Sequence, residues 1–315
     1  MNVRDFLSQS IASIASVLFA FFIGAVIIRL IGRDPAVAIF SMFSVSLGDY
    51  FGIGSTLNLA AVLLLTGLAA LVSFKAGIWN LGMEGQLYIG GLVGTAIALT
   101  LPSYGGLILI LAYLAGIVAG GLYSALAGLL KARLKVNEIV STIMLNYIAL
   151  LLVDLVAGGP LHEKGSAINV TPPIPSGLRM PQFPGSTIQP TILLAILVAV
   201  GLAFLVKKTK LGFEIRMMAG NDRAAKYVGL NMASKTVLVM FISGALAGFA
   251  GCFLVFGISY SVFDGISKSY GYLGIGVALL ASLNSIASVI SAFLFSILNV
   301  GAVGMQASIP PLISP

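Results

Sequence analysis

Covalent chemistry has few candidates in this chain, and they are not grouped. The only histidine, His162, stands in a proline-rich polar stretch, and the only cysteine, Cys252, lies alone inside an apolar run. A nucleophile requires a base within hydrogen-bond reach, and a metal requires several converging donors. No HExxH, GxSxG or pair of carboxylates within an apolar run provides either. The dipeptide Gly-Lys does not occur, so there is no Walker A loop to cradle a nucleotide phosphate. No catalytic residue, metal site or cofactor is expected, the chain is not read as an enzyme, and any ATP linked to it must be hydrolysed by another polypeptide. A lone cysteine also excludes a disulfide framework.

The remaining polar groups fall in three clusters. In the first, residues 74–88, Gly77, Gly82 and Gly85 interrupt helix while Trp79, Asn80, Glu84 and Gln86 bring polar groups close to membrane depth. An ionisable group at that depth is costly and marks function, and broken backbone is tolerated there only against protein or a water-filled path. The segment reads as a gate or the wall of a path, the alternative being a plain loop at the membrane surface. In the second, residues 136–147, Asn137 and Glu138 suit a helix start, where a side-chain acceptor and a negative charge meet unpaired amides. Ser141, Asn146 and Asp154 continue into the following apolar run, either bonding between helices or lining the path.

The third cluster is residues 207–235, where nine of 29 residues are charged and seven of those are Lys or Arg, against 9% charged residues overall. Gly220 precedes a capped pattern in which Asn221 is a good N-cap, Asp222 favours the positive helix end, Ala224 and Ala225 propagate, and Gly229 permits a left-handed stop. A two-turn helix outside the bilayer is expected here. So short a helix is unstable alone, and Ala224, Tyr227 and Val228 give it a face suited to a cleft on a partner.

The elements that must position these clusters are transmembrane helices. The chain is 59% hydrophobic with a mean hydropathy of +1.08, and apolar runs of about 20 residues match a hydrocarbon slab of about 30 Å. A membrane β-barrel would show alternation in short segments instead. The reading is an all-α polytopic bundle, one domain over 1–315, with spans near 10–30, 57–74, 84–101, 106–130, 139–157, 190–206, 236–258, 272–283 and from 286, nine in all. Residues 36–51 are read as interfacial or half-spanning. The net charge of +7 sits in loops at span ends, where retention of Lys and Arg on the cytoplasmic side sets orientation, so no nucleic acid is implied. With the N-terminus cytoplasmic, 207–235 lies inside and the proline-rich loop 158–189 outside. The pairs Gly90/Gly94, Gly116/Gly120 and Gly244/Gly248 imply close helix packing.

The run from Gly212-Phe213 through Gly220-Asn221, Ala224-Ala225 and Gly229-Leu230-Asn231 resembles the coupling-helix loop of ABC importer permeases, in the branch for simple sugars, nucleosides and branched-chain amino acids. The stretches 79–87 and 137–148 resemble more specifically the nucleoside-type permeases. The resemblance covers about residues 52–304. It implies a permease subunit of the bacterial inner membrane, paired with a second permease, docked through Gly220, Asn221, Asp222, Ala224, Ala225, Tyr227 and Gly229 on ATP-binding subunits, and fed by an external substrate-binding lipoprotein. The path is expected near Trp79, Asn80, Glu84, Gln86, Asn137, Glu138 and Asn146, and such neutral polar lining suits an uncharged nucleoside. Ribose-type sugars and branched-chain amino acids remain alternatives, as does a self-contained channel or secondary transporter. Such permeases usually have a tenth span returning to the cytoplasm, whereas nine are read here.

Overall fold

The structure, a computed structural model, describes residues 3–101, 106–220 and 230–308, and the side chains of 15–101, 106–220 and 230–306. Among the described residues it is all-helical apart from turns, the long loop 158–189 and an isolated bridge. In chain order the helices are α1 Val3–Leu30, α2 Pro35–Leu47, α3 Tyr50–Lys75, α4 Met83–Thr100, α5 Gly106–Leu134, α6 Glu138–Ala157, α7 Thr191–Lys208, α8 Lys210–Gly220, α9 Met232–Leu254, α10 Tyr270–Leu280 and α11 Ala287–Ser308. Among the described residues six helices are long and apolar enough to cross a membrane: α3, α5, α6, α7, α9 with its extension to Ser259, and α11.

The central element is α3, whose most apolar stretch is 94% buried, whereas those of α5, α6 and α7 are about a third buried or less. Its apolar residues run all round the helix, as expected for a helix enclosed by protein, and α7, α9, α10 and α11 pack on it. The tightest crossing joins α5, α4 and α9. A side chain on Gly248 would meet the Gly116 carbonyl oxygen at 2.5 Å, and one on Gly244 the Gly120 carbonyl oxygen at 2.3 Å. Small residues here let backbones touch and recover dispersion energy that lipid cannot supply.

Residues 35–47 form a separate helix, started by Asp34, which accepts from Ala36 N at 2.8 Å. Thirteen residues reach only ~20 Å, too short to cross, in line with the half-spanning reading. The following helix begins at Tyr50, well before the expected 57, because Asp49 caps it by accepting from Gly52 N at 2.6 Å. Likewise α9 begins at Met232 rather than 236, since Asn231 caps it and the charge of Lys235 is satisfied by Glu214 at 2.6 Å. The basic stretch also contains an unforeseen helix, α8, whose Gly212, Glu214, Ile215 and Met218 are buried. Residues 221–229, where the two-turn helix is expected, lie outside the described residues.

The proline-rich loop 158–189 is tied down. Thr171 N donates to Val262 O at 3.0 Å, Ile174 N to Tyr260 O at 2.7 Å and Met180 N to Phe256 O at 2.9 Å, while Ile174 is fully buried. These carbonyls belong to a five-residue π turn, Val255–Ser259, and the residues just after it, which end α9 with Tyr260 in a left-handed conformation (φ 59°). From there the chain turns back into the bundle and starts α10. The expected short span at 272–283 is thus a half-length helix of 11 residues.

Candidate functional site

Two helices, α4 and α10, begin inside the bundle, and each needs partners for the amides of its first turn. Neither helix receives a side-chain cap from its own N-cap residue. For α4, Asn80 Oδ1 accepts from Gly82 N at 2.9 Å, Thr142 Oγ1 from Leu81 N at 3.2 Å, and Asn146 Oδ1 from Gly85 N at 2.8 Å. For α10, Glu84 Oε2 accepts from Gly271 N at 2.8 Å, and the Ser267 hydroxyl and the amides of Ser269 and Tyr272 face the same carboxylate. Burying a carboxylate is tolerable when several N–H groups and the positive end of a helix surround it. Gly271 is required for the approach, because a Cβ there would stand 2.4 Å from Glu84 N.

Asn146 joins the two breaks. Its Nδ2 donates to Leu81 O at 2.9 Å and to the Tyr272 hydroxyl at 2.8 Å, so one side chain of α6 touches the start of both α4 and α10. It lies nine residues beyond the Asn137 cap, or ~13 Å along the helix, near the middle of α6, which is long and apolar enough to cross a membrane. Beside it Asn80 and Gln86 form a reciprocal amide pair, with Nδ2 to Oε1 at 3.1 Å and Nε2 to Oδ1 at 3.0 Å. Asn80 also donates to Ser243 Oγ at 2.9 Å, whose hydroxyl donates to Ala69 O at 2.7 Å.

The sequence-selected residues therefore separate by depth. Asn80, Glu84, Gln86 and Asn146 are buried and bonded to protein. At the basic end Asn137 caps α6 through Ile139 N at 2.9 Å, and Glu138 is paired with Lys131 and faced by the Trp79 amide. The Trp79 ring is half exposed and packs on Phe74 with centroids 4.7 Å apart. Exposed beside the knot are Tyr272 and Tyr147, flanked on α6 by the aliphatic Met144 and Ile148. The sequence reading did not single out these two tyrosines; only their position one residue from Asn146 and from Gly271 points to them.

Gly220 ends α8, whereas Asn221, Asp222, Ala224, Ala225, Tyr227 and Gly229 lie outside the described residues. The preceding residue makes the link inward, since a Cβ on Gly77 would sit 3.2 Å from Ala219 Cα. Gly77 has φ +72°, a conformation that costs a residue with a side chain on the order of 1–2 kcal/mol. Thus α8 rests on the turn that leads through Asn80 to the start of α4. Lys75, Lys207 and Arg216 lie close enough here to repel one another. Among the described residues no cluster of side chains suits a metal ion. The arrangement is a hydrogen-bonded polar junction shared by α4, α6 and α10.

Residues 52–314 match the family described as branched-chain amino acid transport system / permease component. The nucleoside ABC transporter permease protein NupB of Lactococcus lactis is 32% identical over 310 residues, covering 94% of this chain and 85% of the relative. The guanosine ABC transporter permease protein NupP of Bacillus subtilis is 31% identical, covering 95% and 87%. A glucose ABC transporter permease of Haloferax volcanii is 29% identical, covering 94% and 80%. No solved structure matches the chain.

Proposed function

We propose that a nucleoside is the cargo of this chain, which belongs to the family of branched-chain amino acid transport system permease components. The chain is a multi-pass inner-membrane permease subunit of an ABC transporter, itself without enzymatic activity, working with an ATP-binding subunit and a substrate-binding protein. The observation that carries the cargo reading is the knot at Asn146. Both helix N-termini inside the bundle, which would otherwise attract an anion, are already occupied by Asn80, Asn146 and Glu84. The open side carries Tyr147 and Tyr272, with Trp79 towards the basic end. Aromatic faces beside a knot whose charge is already satisfied suit a ligand with a flat base and no net charge. The similarity to NupB and NupP supports the same cargo. The similarity to a glucose permease favours, as a second reading, a simple sugar.

In this reading residues 207–235 face the cytoplasm, 221–229 docks on the ATPase, and the permease pairs with a second, different permease chain. Closure of the ATPase moves α8, which presses on the Gly77 turn and shifts the knot. The test is uptake by the reconstituted complex with its ATPase, second permease and binding protein. Labelled guanosine should enter and be displaced by other nucleosides, not by glucose or leucine. Ala225→Arg should abolish substrate-stimulated ATP hydrolysis while leaving the chain folded. Displacement by glucose alone overturns the cargo, and unchanged stimulation overturns the docking.

A further inference from the structure

Between α5 and α9 runs an open groove of about 610 Å³. Leu122, Ala125, Leu129, Ala132, Val237 and Phe241 line it. Phe241 can lie against α5 because Gly121 carries no side chain, a Cβ there coming within 2.8 Å of the ring. From Leu122 to Arg133 the groove follows eleven residues of α5, or ~17 Å, close to the ~15 Å depth of one leaflet of the hydrocarbon core.

The mouth has a different chemistry. Arg133 stands there exposed, and no carboxylate pairs with it among the described residues, since Glu138 is taken by Lys131 and Glu214 by Lys235. Asn231 spends its Oδ1 on Ser234 N at 3.1 Å, which leaves its amide N–H groups without a bond among the described residues. The first amides of α9 open at the same place and add their partial positive charge. An apolar groove one leaflet long, ending in a guanidinium, an amide donor and a helix N-terminus, matches an acyl chain in length and complements the negative charge of a lipid phosphate.

We propose that this groove binds an anionic phospholipid of the cytoplasmic leaflet, with an acyl chain between α5 and α9 and the phosphate at Arg133 and Asn231. Retention of basic residues at the cytoplasmic face accounts for an arginine at this level. It does not account for the groove beneath it. The site is independent of the cargo and touches none of the residues of the knot.

The test uses the reconstituted transport complex in bilayers of equal phosphatidylglycerol and phosphatidylethanolamine, with retained lipid counted by native mass spectrometry after extraction. Both lipids carry the phosphate, but the ammonium of phosphatidylethanolamine is repelled by Arg133, so phosphatidylglycerol should be retained over phosphatidylethanolamine by roughly tenfold, the reach of one charge-assisted site. Arg133→Gln should remove that preference, Ala125→Trp should remove the lipid, and Lys208→Gln should change neither. Val237→Trp fills the groove from the other wall and serves if Ala125→Trp does not fold. Equal retention of the two lipids, or unchanged retention in both tryptophan variants, overturns the proposal. So does a Leu129→Cys variant that crosslinks through its thiol to another subunit of the complex.

Discussion

Asn146 and Glu84 show how little separates a structural polar group from a mechanistic one inside a membrane. Asn146 makes three hydrogen bonds to three different places, at Gly85, Leu81 and Tyr272, and Glu84 closes the end of a helix 187 residues further on. If Glu84 acts as a cap, its oxygen matters more than its charge. Glu84→Gln preserves an acceptor for Gly271 N and should retain about half or more of transport. Glu84→Ala leaves several buried amides bare, at about 1–3 kcal/mol each, and should cut uptake roughly tenfold and lower the melting temperature of the purified chain. Equal losses in the two variants, measured by uptake into vesicles, would show that the charge itself takes part. The residue types at 80, 84, 86 and 146 were legible as unusual from sequence, because polar groups at membrane depth need partners. Which partners they take was not, since Ser243 and Gly271 lie 163 and 187 residues away from theirs and nothing local marks them.

At the level of elements, the start of α6 was legible because Asn137 stands beside it as a cap, whereas α3 and α9, capped as locally by Asp49 and Asn231, were expected several residues too late because polar residues follow the cap. At α4 and α10 the starts fell within two residues of expectation, at Met83 and Tyr270, and what stayed hidden is that their caps come from distant helices. The buried side of α8 was visible in the spacing of Leu211, Ile215 and Met218 and was masked by the surrounding lysines. The glycine pairs were correctly read as close packing, but that they join α5 to α9 and α4 to α9 emerges only in three dimensions. Gly248→Leu should therefore be severe, because overpacking a tight contact costs about 1–3 kcal/mol and here backbone must move. A drop of the order of ten degrees in thermal unfolding, followed by size-exclusion chromatography, is expected. Gly201→Ala, where no atom lies within 4 Å of the added carbon, should be silent. Similar melting of the two variants would remove the crossing from the core of the fold.

For the whole molecule, the orientation rests on the sidedness of lysine and arginine, and it can be read directly. Cys252 is buried with its Sγ 3.7 Å from the Gly90 carbonyl oxygen, so the unmodified chain provides an unreactive background. Lys164→Cys, in the loop that pairs with the π turn, should react with an impermeant maleimide on intact cells. Lys208→Cys should react only after permeabilisation, and the reverse pattern would invert the topology. The polar knot also sets a timetable for synthesis. Asn146 follows Gly85 by 61 residues and Gly271 follows Glu84 by 187. At roughly 5–20 residues per second, the start of α4 waits about 3–12 seconds for Asn146, and the Glu84 carboxylate waits about 9–37 seconds for the helix it closes. Until then α4 is a segment whose polar end has no place in lipid, so it must remain at the membrane surface or within the insertion machinery, and the last third of the chain completes the insertion of the first.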